Sequence, residues 1–157
     1  MMSFEICESK KEDLEKILEL IKELAIHENM LEDVKCTTKE LEESFFENKY
    51  AKALSLKVDG KIIGYAMYYF TFSSFWGLGG LYLEDIYIQA KYRKKGYAKA
   101  VFKYLAQICK EKNLKRLEWV CLNDNDLGIE FYTKLNAKHM NEWRTYRLEG
   151  ENLEALM

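Results

Sequence analysis

The chain has 157 residues, 48% hydrophobic and 14% aromatic, enough for one domain (1–157) with a full core. Its formal net charge of -2 and pI near 5.8 exclude a general polyanion binder, so any nucleic-acid reading has to be local. No apolar run reaches the roughly 18 residues of a membrane span and the N-terminus lacks a signal-length apolar stretch, so a cytoplasmic protein with no membrane partner is expected. Cys7, Cys36, Cys109 and Cys121 show no CxxC spacing and no paired histidines. They read as buried, reduced thiols, and no metal is expected.

In chain order, Phe4 to Ser9 alternates apolar and polar residues as a strand does. Ser9 to Glu12 reads Ser-x-x-Glu, a capping box, and Leu14, Ile17, Leu18, Ile21, Leu24 and Ala25 then recur at helical spacing to about His27. A shorter helix begins near Thr38 and carries Leu41, Phe45 and Phe46. Two strand-like runs flank Asp59-Gly60, a strong hairpin signal, and a third apolar strand covers Gly80 to Ala90. Beyond Gly96, Ala98, Val101, Phe102, Leu105, Ala106 and Ile108 keep a helical period until Asn113. Residues 115–122 read as a strand, 124–136 as a short helix and 137–149 as a last extended segment. The strand-helix-strand run at 81–122 is a crossover, which makes the central pair parallel. The fold class is therefore α/β or α+β, a single sheet covered by helices.

Charge is uneven along this order. The first fifty residues carry 14 acidic against 7 basic side chains, whereas Lys91 to Arg116 carries 10 basic and a single acid, Glu111. The basic segment opens with "KYRKKGYAKAVFKYL", in which a strand end, a small-residue loop and a helix start converge. Backbone N–H groups gather there, the helix dipole adds positive character, and Gly96 and Ala98 let a phosphate approach the main chain. A solvated charge run at a helix start explains the stretch alone equally well. A dinucleotide fold fits poorly, because the motif comes late and lacks the three-glycine pattern with its distal acid.

Two motifs favour the phosphate reading. Arg93-Lys94-Lys95-Gly96-Tyr97-Ala98 resembles the Arg/Gln-x-x-Gly-x-Gly/Ala segment of the GNAT superfamily of acyl-CoA-dependent N-acetyltransferases, and Asn123 to Ala137 resembles that family's Asn- and Tyr-bearing helix. "LIKELA", "GYAMYYFTF" and "LYLEDIYI" are similar to the diamine (spermidine/spermine) and thialysine acetyltransferases, from about Ile17 to the C-terminus. The resemblance implies a mixed, mostly antiparallel sheet with a parallel pair at the cofactor site and about four flanking helices. It also implies acetyl-CoA as cofactor, a small-molecule amine substrate and a homodimer, for which exposed "YYFTFSSFW" would offer an apolar surface.

Acetyl transfer defines what the residues must do. An alkyl ammonium, with a reference pKa of about 10.4, has to lose a proton before it attacks a thioester. Glu84 and Asp85 are acids in the middle of an apolar strand, where a carboxylate needs a reason. Strand alternation turns one of them to the cleft unless a bulge intervenes; Glu84 is the expected base, directly or through water, and Asp85 helps select a cation. The family implies backbone donors at Ile86 or Ile88 for the acyl oxygen, cofactor contacts along Ile86, Tyr87 and Ile88, and Tyr132 as the proton donor to the leaving thiolate. It further implies that Arg93, Lys94, Lys95, Gly96, Tyr97, Ala98 and Lys99 surround the pyrophosphate, with Asn125, Asp126 and Gly128 also on the cofactor. This chain departs from the family pattern at Lys94, Ala98, Leu127 and Gly128, changes that still allow backbone contacts.

Glu28, Trp76, Glu84, Glu142 and Trp143 match substrate-contacting positions of the diamine branch. His27 stands for an aromatic phenol and Ser74 for an acid, and the segment before Glu142 is shorter, which favours a shorter diamine or a lysine-like amine over a long polyamine. His27 is assigned no catalytic role. Two other classes remain: an acetyltransferase of protein lysines or N-termini, and a non-catalytic CoA-sensing or nucleic-acid-binding module. The acidic remainder of the chain argues against nucleic acid.

Overall fold

The computed structural model describes residues 2–157. Five strands, β1 (Phe4–Glu8), β2 (Lys52–Val58), β3 (Lys61–Ser73), β4 (Leu78–Ile88) and β5 (Leu117–Glu118), form one sheet in the order β1-β2-β3-β4-β5. Strands β1 to β4 are antiparallel neighbours joined by short connections or by helices, and β4 and β5 run parallel, as the helical crossover between them requires. The helices are α1 (Leu14–His27), α2 (Thr38–Glu42), which continues as a π turn over Glu43–Glu47, α3 (Tyr97–Glu111), α4 (Asp126–Lys134) and α5 (Gly150–Glu154).

The β2–β3 hairpin turns at Asp59 (φ 47°) and Gly60 (φ 79°), the paired positive dihedrals that Asp-Gly favours. The start of α1 departs from expectation. Ser9 does not cap it: the Ser9 hydroxyl lies 2.8 Å from that of Ser55, which donates to Asp13 at 3.0 Å, while the Asp13 carboxylate takes the Lys10 N–H at 2.9 Å. All three side chains are buried, so they satisfy one another where water is excluded.

Strand alternation assigns the two faces of the sheet. Ala53, Tyr65, Met67 and Tyr87 pack with Leu14, Ile17 and Leu20 of α1 and Leu41 of α2. The alternate residues Ala66, Tyr68, Leu81 and Leu83 are buried on the other face, where α3 supplies Val101, Phe102 and Leu105. The chain falls into two compact units, Met1–Val120 with the sheet and α1 to α3, and Cys121–Met157 with α4 and α5.

Three further expectations change. The parallel pair lies at an edge of the sheet, because among the described residues no strand follows β5, which is itself only two residues long. Residues 137–149 form no ladder: Trp143, Tyr146 and Leu148 are all exposed, so this segment has no buried apolar face to hold it in the sheet. The four cysteines are free, with Cys7, Cys36 and Cys109 half-buried and Cys121 exposed rather than buried. Among the described residues no helix is long and apolar enough to cross a membrane.

Candidate active site

A β-bulge builds the centre of the site. Tyr68 pairs with Leu83 and Met67 with Asp85, so Glu84 is the extra residue and both acids oppose Met67. The alternation that would have sent Glu84 and Asp85 to opposite faces is broken, and both lie on the sheet face that carries α1. Glu28, the C-cap of α1, is half-buried and acts electrostatically on Asp85.

The two carboxylates have different surroundings. Glu84 is exposed, whereas Asp85 is partly buried and accepts a long hydrogen bond of 3.4 Å from the Tyr65 hydroxyl. Burial pushes the Asp85 carboxyl up to about 6, and the negative charges of Glu84 and Glu28 act in the same direction; the Tyr65 hydroxyl pulls the other way. Tyr65 itself is raised, first by burial and then by Asp85. Beside them Tyr69 and Tyr82 stack with centroids 5.0 Å apart, and burial, then the Glu84 charge, raises the Tyr69 hydroxyl.

Toward its end β4 loses its partner on one edge. The ladder to β5 stops at Tyr82–Glu118, while β4 runs on to Ile88. The Gln89 N–H donates to Ile63 of β3 at 2.9 Å, so alternation turns the N–H groups of Ile86 and Ile88 to the opposite, open edge. Tyr87, between them, faces α1 and donates to Glu23 at 3.0 Å.

The basic loop follows at once. Arg93 Nε donates to the Ile88 carbonyl at 2.7 Å and its guanidinium lies 5.4 Å from the Tyr87 ring centroid, although the residue stays exposed. Lys94 and Gly96 take positive φ values of 60° and 81°. Gly96 ends the loop as the N-cap of α3 with no side-chain cap, leaving the first amides of the helix, Tyr97, Ala98 and Lys99, to other acceptors. A Cβ at Gly96 would meet nothing within 4 Å, so the loop is open at this residue. Lys94, Lys95 and Lys99 are exposed around it, with Lys95 Nζ 5.8 Å from the Tyr92 ring centroid, and Tyr97 is anchored by stacking on Phe4 at 4.1 Å. This donor set fits the pyrophosphate of an acyl-CoA.

In the second unit Asn125 is the N-cap of α4, its side chain accepting the Gly128 N–H at 3.0 Å. Asp126 opens the helix, where its charge suits the dipole. Tyr132 is half-buried and edge-on to Phe131 at 5.7 Å. Glu142 and Trp143 are exposed on a turn. Trp76 is exposed at the tip of the β3–β4 hairpin, under the Lys115 ammonium at 5.5 Å. About 20 Å of strand separates that tip from Glu84, so the chain does not bring the two together. Tyr65, Glu23 and the Tyr69–Tyr82 pair escaped the sequence reading, since apolar-strand tyrosines look like core; only the alternation of Tyr65 and Tyr69 with Met67 on β3 hinted at a shared face.

Residues 14–137 match the Acetyltransferase (GNAT) family. The thialysine N-epsilon-acetyltransferase of Bos taurus is 32% identical over 163 residues, which cover 96% of this chain and 95% of that protein. The spermidine/spermine N(1)-acetyltransferase-like protein 1 of Homo sapiens is 33% identical over 96% of this chain and 23% of its own length. Among solved structures, an integron cassette protein from V. cholerae is similar with a TM-score of 0.83 and 26% identity, over 99% of this chain and 98% of that one.

Proposed function

The chain belongs to the acetyltransferase (GNAT) family, an N-acetyltransferase that moves an acetyl group to an amine, and from that premise we propose that its acceptor is the primary amine of a short diamine, polyamine or lysine-like compound. The observation that carries this reading is the bulge that sets Glu84 and Asp85 side by side, where the charge of Glu28 also acts on Asp85. Three carboxylates around one point attract a cationic amine. Glu84, exposed, takes the ammonium proton directly or through water, and Asp85 holds the cation in place.

Family members use acetyl-CoA, which when bound supplies an activated acyl thioester. The amides of Gly96, Tyr97, Ala98 and Lys99, with Arg93, Lys94 and Lys95, hold its pyrophosphate. Tyr87 lines the approach, and the open-edge amides of Ile86 and Ile88 are the donors for the acyl oxygen, in a ternary complex with direct attack. In the second unit Asn125, Asp126 and Gly128 form the helix start assigned to the cofactor, and the Tyr132 hydroxyl is the proton donor. The family match runs across the boundary between the units, which supports one catalytic domain. Four free cysteines are in keeping with a reducing cytoplasm. A homodimer belongs to this reading, because the β3–β4 hairpin exposes Phe70, Phe72, Phe75 and Trp76 together. Trp76, Glu142 and Trp143 are the remaining substrate-contact candidates.

The test is CoA release from acetyl-CoA with putrescine, spermidine, spermine, thialysine, lysine, aminoglycosides and a histone-tail peptide. Turnover of one small amine, cut about 100-fold or more in E84Q and Y132F with acetyl-CoA binding unchanged, supports the reading. Activity on the peptide alone, or unaltered turnover in both variants, overturns it.

A further inference from the structure

Tyr65 is a tyrosine with no exposed surface, enclosed by Leu14, Ile17 and Leu20 of α1 and by Met67 and Tyr87 of the sheet. A buried phenol hydroxyl needs a partner, and this one has Asp85 Oδ2 at 3.4 Å. The two residues are diagonal neighbours on the ladder: Tyr65 pairs with Tyr87, and Asp85 pairs with Met67. A hydroxyl at the end of a ring spans that diagonal, and the ring has little freedom. Tyr87 leans on it at 6.4 Å and 43°, and Tyr87 is tied in turn to Glu23 of α1 at 3.0 Å. A chain of fixed contacts thus runs from α1 through two tyrosines to one acid of the bulge.

We propose that Tyr65 is a positioning residue for the amine site: its buried hydroxyl holds the Asp85 carboxylate in one orientation beside Glu84, so that the bulge presents a preset pair of acids. The proposal rests on the reading of the bulge as the amine site. The groups that face Asp85 are Glu84 from its own strand, Glu28 from the end of α1 and Tyr65 from β3, with Cys36 from the segment before α2 also acting on Tyr65. Two of these are carboxylates, which disfavour an ionised Asp85, and the phenol is the donor that favours it. Tyr65 therefore keeps Asp85 charged at the acid end of the working range as well as oriented.

Tyr65→Phe removes the donor and keeps the ring. The acid limb of kcat/KM for the amine is expected to move to higher pH by about one pH unit. The amine KM at pH 6.5 should rise several-fold, while the acetyl-CoA KM and the profile above pH 8.5 hold. In a D85N background the same substitution should change neither KM nor the profile. An unmoved acid limb in Y65F, or an equal effect of Y65F with and without Asp85, overturns the proposal. A 13C carboxyl titration of Asp85 in Y65F and the unsubstituted protein reads the contact without any substrate. An upward shift supports it and an unchanged titration overturns it, even if no amine on the panel is turned over and the functional reading falls. Thermal melts of Y65F separate this effect from loss of fold.

Discussion

Arg93 Nε donates to the main-chain carbonyl of Ile88 at 2.7 Å, and this bond stitches the basic loop to the end of the strand that carries both carboxylates. The guanidinium plane also stands over Tyr87, whose hydroxyl reaches α1. Phosphate loop, acid-bearing strand and first helix are linked through one side chain. Arginine suits that role because it offers a directional Nε–H and a flat face at once.

Arg93→Ala is therefore expected to raise the acetyl-CoA KM about tenfold, the loss of one charge-assisted contact, with the amine KM unchanged. Arg93→Lys keeps the charge but loses the fork and the plane, and should remain impaired. Initial-rate kinetics with each substrate varied check this; full recovery in the lysine variant would show that charge alone matters at this position.

Gly96 carries a second prediction. With φ at 81°, an alanine there is strained by about 1 kcal/mol even though its Cβ meets nothing within 4 Å. Relief of that strain shifts the first amides of α3. Gly96→Ala should lower the melting temperature slightly and weaken acetyl-CoA binding by calorimetry; intact binding at reduced stability would separate the loop from the cofactor.

Asp85 makes stability depend on pH in a direction opposite to that of a paired carboxylate. Its folded-state value, about 6, lies above the ordinary value of 3.8, so the folded protein holds the proton more tightly than the unfolded chain. The stabilising contribution is present below about pH 4 and is lost as pH rises through 6. Asp85→Asn should thus melt like the unsubstituted protein at pH 4 and be more stable at pH 7.5, by about 1–3 kcal/mol. Chemical denaturation at the two pH values decides it: a destabilised D85N at pH 7.5 would mean that the Asp85 charge is compensated in the fold.

What could be read from the sequence was local. The Asp59-Gly60 hairpin, the periodic face of α1 and the start of α3 at Gly96 are each specified within a few residues, and they stand where expected. Ser9 misled because its cap partner lay three residues away in sequence while the hydroxyl it meets, on Ser55, lies 46 residues away. Glu84 and Asp85 were legible as acids among apolar neighbours, but the bulge that unites them depends on register against β3, which no local pattern fixes. The 137–149 segment looked extended, and Tyr146 and Leu148 alternate with polar residues, yet both stay exposed and the segment joins no sheet.

Asn125 and Gly128 make a matched pair whose coupling has a definite sign. The Asn125 carboxamide caps α4 through the Gly128 N–H, and a Cβ at 128 would stand 2.5 Å from Asn125 Nδ2. Asn125→Ala should cost about 1 kcal/mol through the lost cap. Gly128→Ala, normally favourable inside a helix, is here unfavourable because it displaces that cap. Once Asn125 is already alanine, the clash is gone and the helix preference reasserts itself, so Gly128→Ala should become neutral or stabilising by up to about 1 kcal/mol. A double-mutant cycle by urea denaturation measures this reversal. Equal and additive costs for the two substitutions would mean that Gly128 is there for something other than the Asn125 cap, such as close approach of a ligand to the helix start.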